Sequence, residues 1–263
     1  MEIIQLSWLQ LAFGFIILII PAAIFWWYNT GLNRKMVIAT IRMTLQLLFV
    51  GYYLEYLFEY DNTWLNLAWI MVMVVVADFA TIDRSDLKTT RSLVIPIFWA
   101  TFLGIVLINL FFLELVIQLP NFLEAQYAIP ITGMVLGNCL RSNVIGINEF
   151  YYNLKENNER YLFYLASGAT RSEALYPFFQ RALQKSANPT LAGMATIGLV
   201  SLPGMMTGQI LSGSSPMTAI QYQIMIMLAI FSGTILSVFL AIIFCNRTVF
   251  FDNDVLDKSI FKE

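Results

Sequence analysis

The chain contains no histidine, which removes the commonest transition-metal ligand and the usual general base near neutral pH. Its two cysteines, Cys139 and Cys245, sit inside apolar runs without the spacing of a metal or redox pair, and read as small hydrophobes. Charge is scarce too: Asp, Glu, Lys and Arg make up 12% of 263 residues, against about a quarter in a soluble domain. No G-x-x-x-x-G-K-[ST] phosphate loop occurs, so the chain does not hydrolyse nucleotide by that route. No nucleophile–base or metal-ligand set is visible, and an enzyme is not expected. A net charge of −2 offers no basic footprint for nucleic acid.

Apolar residues are abundant: 59% of the chain, with a mean hydropathy of +0.70. A membrane-spanning helix needs ~20 mostly apolar residues. Runs of that kind fall near 6–28, 36–58, 63–82, 93–117, 127–147, 189–212 and 218–245. They predict an all-α membrane protein of about seven transmembrane helices, organised as one domain over residues 1–263. The first run has no basic flank and no small-residue cleavage site, and is expected to be a retained helix.

Charge sorts the loops into two sets. Those near 29–35, 83–92 and 148–188, with the tail, carry Arg34, Lys35, Arg84, Lys88, Arg91, Lys155, Arg160, Arg171, Arg181, Lys185, Arg247, Lys258 and Lys262. The alternate loops, near 59–62, 118–126 and 213–217, carry Glu59, Asp61 and Glu124 but no Lys or Arg. The positive-inside rule then places the N-terminus outside and the C-terminus in the cytoplasm of a cell membrane. Trp26, Trp27, Tyr28 and Trp64 at run ends suit the interface between lipid and water.

The longest polar stretch is 148–188. Thr170 and Glu173 have the spacing of a capping box. Leu175, Phe178, Phe179, Ala182 and Leu183 then recur on one helical face, opposed by Gln180, Arg181, Gln184 and Lys185. Pro177 is expected to kink this helix or to start a second one. The pattern suits an amphipathic helix on the membrane surface or a helix docking into a partner's groove. Spacing alone does not separate the two.

Polar groups inside the runs need a reason, since an Arg or Asp at mid-membrane costs ~3 kcal/mol on insertion scales. Arg42 and Gln46 share a face of the second run, and Asn138 and Arg141 lie three apart in the fifth. Either arginine could snorkel, or pair with Asp78. Gly133-x-x-x-Gly137 and Gly204-x-x-x-Gly208 have the spacing that lets helix backbones approach closely. The second motif sits in Leu202-Pro-Gly-Met-Met-Thr-Gly-Gln-Ile210, where Pro203 would break a span. Broken helices at membrane depth line cavities or pack on protein. Met205, Met206, Thr207 and Gln209 would then join Arg42, Gln46, Asn138 and Arg141 as candidates for a translocation pathway.

These stretches resemble a known family, the FetB-type ABC transporter permeases, which are similar also to plant aluminium-tolerance permeases. The resemblance is most specific at Gly198-Leu-Val-Ser-Leu-Pro-Gly-Met-Met-Thr-Gly-Gln-Ile-Leu211, followed by Pro216 and Tyr222-Gln-Ile224. It extends to Arg42 through Gly51, Ile129 through Asn138, and Gly168 through Pro189. It implies a homodimeric permease in lipid, bound to a separate ABC ATP-binding subunit that holds ATP and Mg. No cofactor is implied on this chain, and no metal ligands are identified. It also implies a coupling helix at Gly168, Thr170, Glu173, Ala174, Leu175, Pro177 and Phe178, Glu173 and Ala174 being the positions that match. The implied activity is export of iron or another metal species, with a role in metal or oxidative-stress tolerance. An ATPase-independent secondary transporter or channel, and a membrane scaffold or stress sensor, are the competing readings.

Overall fold

The computed structural model describes residues 7–119, 121, 123–251 and 254–262; the expected start of the first span, at residue 6, lies outside them. Helix α1 covers Trp8–Trp27, with a 3-10 stretch at Phe15–Leu18. It is followed by α2, Asn33–Tyr60, and α3, Thr63–Arg84. Helix α4 runs over Arg91–Val116 and ends in a π turn at Leu110–Val116. Then come α5, Ala125–Glu156, α6, Asn158–Ala166, and α7, Arg171–Thr196. The last two are α8, Gly204–Leu211, and α9, Pro216–Cys245. Among the described residues there is no strand, only isolated bridges.

Capping side chains set several helix starts. Ser7 and Gln10 form a capping box on α1, and the Asn62 side chain accepts from Trp64 N–H and Leu65 N–H at the start of α3. Ser215 caps α9, with Pro216 in the first turn where its missing N–H is harmless. Asp61 caps across the chain: its Oδ1 accepts from Ala125 N–H at 2.9 Å, at the head of α5.

Helices α1, α2, α3, α4 and α9 are long and apolar enough to cross a membrane. The two other expected spans differ from the reading. Helix α5 is long enough but more polar, and it continues to Glu156, about two and a half turns past the expected end at 147. Residues 189–212 are not one helix. They divide into the end of α7, an irregular stretch over 197–203, and the short α8.

Two compact units emerge, residues 1–60 with 211–213, and residues 61–210 with 214–263. In the first, α1 and α2 are apolar and almost wholly exposed, as helices are whose surroundings are hydrocarbon. They border an open groove of about 280 Å³ lined by Leu18, Ala22, Val37 and Thr40, among others.

In the second unit α9 lies along α4 and α5, α3 packs on α5 and α4, and α7 packs on α5 and α9. Backbones approach closest where glycines face neighbours. A Cβ on Gly146 would lie 2.6 Å from Val238 Cγ1, and one on Gly233 would lie 2.8 Å from Val135 Cγ1. The two glycine pairs expected to pack do so less: a Cβ on Gly137, Gly204 or Gly208 meets nothing within 4 Å, and one on Gly133 meets only the flexible tip of Met73. Spacing within one helix cannot say which face meets a neighbour.

The tail adds a strap that hydropathy does not show. Val249, Leu256, Ile260 and Phe261 are buried. Lys262 Nζ donates to the carbonyls of Ile82, Asp83 and Ser85 at the end of α3, where unpaired C=O groups favour a cation.

Candidate translocation cavity and docking hairpin

The polar segment folds as a tight hairpin of α6 and α7. Helix α6 ends in a Schellman turn, with Ala169 N–H bonded to Tyr164 C=O and Gly168 N–H to Leu165 C=O. Gly168 takes the left-handed conformation, φ +92°, that this turn requires. Helix α7 begins at once with the expected capping box. Glu173 N–H donates to Thr170 Oγ1, and Thr170 N–H donates to Glu173 Oε2 at 2.8 Å. Thr170 N–H and the Thr170 hydroxyl both donate to the exposed Glu173 carboxylate and hold it below its ordinary value.

The apolar face of α7 is turned inward. Ala174, Leu175, Phe178 and Ala182 are buried with Phe150, Tyr151 and Tyr161 in the chain's own core, and Phe179 meets Phe150 and Phe239 edge-on. This corrects both expectations for that face: it lies neither on lipid nor in a partner's groove. Ala174, Leu175 and Phe178 seat the helix, and the side chains left outside include Phe163, Tyr176, Ser172 and Glu173. Pro177 neither ends nor restarts the helix, because α7 runs through Pro177 and Pro189 alike.

Glu149 of α5 fastens the polar side of α7. Its carboxylate meets Arg181 Nε at 2.8 Å and Lys185 Nζ at 3.0 Å. Burial pushes the Glu149 carboxyl up. Hydrogen bonds from Lys185 and Asn153, with the charges of Lys185 and Arg181, outweigh that and hold it below its ordinary value.

At the other end of α7 lie two cavities. One, of about 220 Å³, is lined by Asn138, Arg141, Ser142, Pro189, Gly193 and Met227, among others. The second, of about 430 Å³, lies under the break at 197–203 and is lined by Met194, Gly198, Met206, Gln223 and Met227, among others. Met227 belongs to both. The break itself is a turn in which Gly198 adopts φ +87° and its N–H reaches Ser201 C=O at 3.0 Å.

The fold thus brings Asn138 and Arg141 together on one cavity and puts Met206 on the other. Met205 packs against the neighbouring apolar cluster. The Thr207 hydroxyl is bonded to Pro203 C=O, and Gln209 lies further along α8. Arg42 and Gln46 are exposed on α2, in the first unit. Arg141 does not pair with Asp78; within the second unit no ion pair among the described residues reaches it. Met194 and Met227 were not singled out in the sequence, since a methionine in an apolar run looks like packing, and Gln223 entered only within the Tyr222-Gln-Ile224 stretch of the resemblance. Among the described residues no group of three His, Cys, Asp or Glu side chains is placed to hold a metal ion. The cavities instead offer thioethers, neutral amides and one guanidinium.

Long apolar helices, with a cavity lined in part by polar side chains between them, define a multi-pass membrane protein. The model of a family described as "Uncharacterised protein family (UPF0014)" matches residues 8–250, and the chain belongs to that family. It is 32% identical over 236 residues to the "UPF0014 membrane protein slr1647" of Synechocystis, covering 89% of this chain and 90% of the relative. It is 34% identical over 200 residues to "Protein ALUMINUM SENSITIVE 3" of Arabidopsis thaliana, covering 76% and 71%. To the "Probable iron export permease protein FetB" of Escherichia coli it is 29% identical over 233 residues, 88% of each chain. No solved structure matches.

Proposed function

We propose that the chain is the membrane subunit of an ATP-driven exporter, working as a pair of such chains with a separate ATP-binding subunit docked on the α6–α7 hairpin. One observation carries this reading. Helix α7 is a single unit of 26 residues, about 39 Å long, with the exposed hairpin at one end and the cavity at Pro189 and Gly193 at the other. A push on the hairpin moves the cavity wall directly, as coupling requires. The names of the relatives FetB and ALUMINUM SENSITIVE 3 support transport connected with metals. In the proposed topology the basic loops and the hairpin face the cytoplasm.

The cavity lining bears on the substrate. A bare hard cation needs several oxygen ligands and carboxylates, whereas Asn138, Arg141 and the methionines Met194, Met206 and Met227 suit a complexed metal of net negative or zero charge. Loose binding is what an exporter needs.

The test is co-purification and ATPase activity with the candidate ATP-binding subunit in lipid. The variant carries Phe163→Asp and Tyr176→Asp, side chains 67% and 66% exposed, so its fold is expected to survive. Partner binding and stimulated ATPase in the wild type, both lost in the variant, are expected. Equal binding by both folded proteins would sink the docking assignment.

A further inference from the structure

Away from these cavities, helices α3, α4, α5 and α9 enclose a polar cluster. Asp78 of α3 is 2% exposed, and neither of its carboxyl oxygens accepts a hydrogen bond. The Thr101 hydroxyl of α4 lies beside it. From α5, Asn143 Nδ2 donates to Ser237 Oγ of α9 at 2.9 Å and to Thr101 Oγ1 at 3.4 Å. Both N–H bonds of that amide are thereby committed, while Asn143 Oδ1 has no partner. Cys139, one turn earlier on α5, faces Ser237 and Asp78. All five side chains are buried.

The donors and acceptors do not balance. Three buried acceptor atoms, Asp78 Oδ1 and Oδ2 and Asn143 Oδ1, are unmatched, and among the described residues of this unit no Lys or Arg forms an ion pair with the carboxylate. A buried carboxylate left alone is strongly unfavourable, and polar atoms without partners at membrane depth add to that. One positive charge would settle both deficits. Two would leave an excess, since the cluster holds a single carboxylate, and divalent oxygen sites recruit more. The titratable groups in the cluster are Asp78 and Cys139; Thr101, Asn143 and Ser237 are neutral, and the Thr81 hydroxyl on α3 is bonded to Ala77 C=O.

We propose that Asp78, Thr101, Asn143 and Ser237 form a binding site for one monovalent cation, a proton on the carboxyl or Na⁺ among the oxygens. Because the site draws on four helices, its occupancy favours the packed bundle over any form in which those helices part. The site does not depend on the ATPase reading, and its test reads binding alone.

The test uses the full chain in lipid nanodiscs. Radioactive sodium retention is measured with choline holding the ionic strength, and infrared difference spectra across an acid–base step are recorded in Na⁺-free buffer. One Na⁺ retained per chain identifies sodium. An exchangeable carboxylic-acid band without sodium retention identifies the proton. Either signal is expected to vanish in Asp78→Asn. Thr101→Val keeps both shape and carboxylate, and is expected to weaken sodium retention or shift the band; it serves if Asp78→Asn does not fold. Absence of both signals in folded wild type, or signals unchanged in both variants, would overturn the proposal. So would stoichiometric Mn²⁺ binding that Cys139→Ser abolishes.

Discussion

At the scale of single residues, most of the chemistry in the second unit falls to side chains that fasten helices. Glu149 is the clearest: one carboxylate holds both Arg181 and Lys185 on α7. Because its folded-state pKa is depressed, the stability it adds is fully present above the ordinary glutamate value of about 4.3. That stability is lost as pH falls through the lower, folded value. Thermal unfolding of the solubilised protein against pH is expected to show an acid limb that Glu149→Gln flattens. The variant is also expected to be less stable at neutral pH. An unchanged acid limb in Glu149→Gln would assign it to other carboxylates. The capping pair Thr170 and Glu173 was legible in the sequence because a cap is local: three residues of spacing decide it. The role of Leu175 and Phe178 was legible only as an apolar face, since periodicity does not say what covers it.

At the scale of helices, α7 shows burial overriding a local rule. A proline inside a helix removes a hydrogen bond and crowds the preceding turn, at about 3 kcal/mol or more. Yet α7 passes through both Pro177 and Pro189, because Leu175, Phe178 and Ala182 are locked in the core on either side of the first. Glycine gives the matching lesson between helices. Gly146→Ala and Gly233→Ala, which press a methyl group onto Val238 and Val135, are each expected to lower stability by about 1–3 kcal/mol through overpacking. Gly137→Ala and Gly208→Ala, which meet open space, are expected to be neutral or slightly stabilising through helix propensity. Melting of the four variants in one detergent checks both pairs. A loss at Gly137 or Gly208 comparable to that at Gly146 would point to a neighbour from another chain.

At the scale of the molecule, the strap over residues 254–262 joins elements far apart in sequence. Tyr161 of α6 donates its hydroxyl to Asp254 C=O at 2.8 Å, Arg171 at the head of α7 pairs with Asp254 at 3.1 Å, and Lys262 closes the end of α3. The hairpin and the α3–α4 turn are therefore held through one segment. Lys262→Met is expected to remove about 1–2 kcal/mol, the worth of charge-assisted bonds partly open to water. Amide exchange should then rise together over 85–88 and 254–262. A rise confined to the tail would mean that the strap does not hold the turn.

The sequence by itself determined the membrane class, the helical content, the polar segment and its capped helix start. Each of these depends on composition or on residues within a turn or two of one another. The tertiary structure decided what such short-range signals do not carry. It turned the apolar face of α7 inward and divided 189–212 at the Gly198 turn. It also placed Met194, Gln223 and Met227 on the cavities and set Asp78 beside Thr101, Asn143 and Ser237. Those outcomes depend on which helix faces meet, and lipid as a surrounding makes the choice harder to read: where water is absent outside as well as inside, apolar residues no longer mark the core.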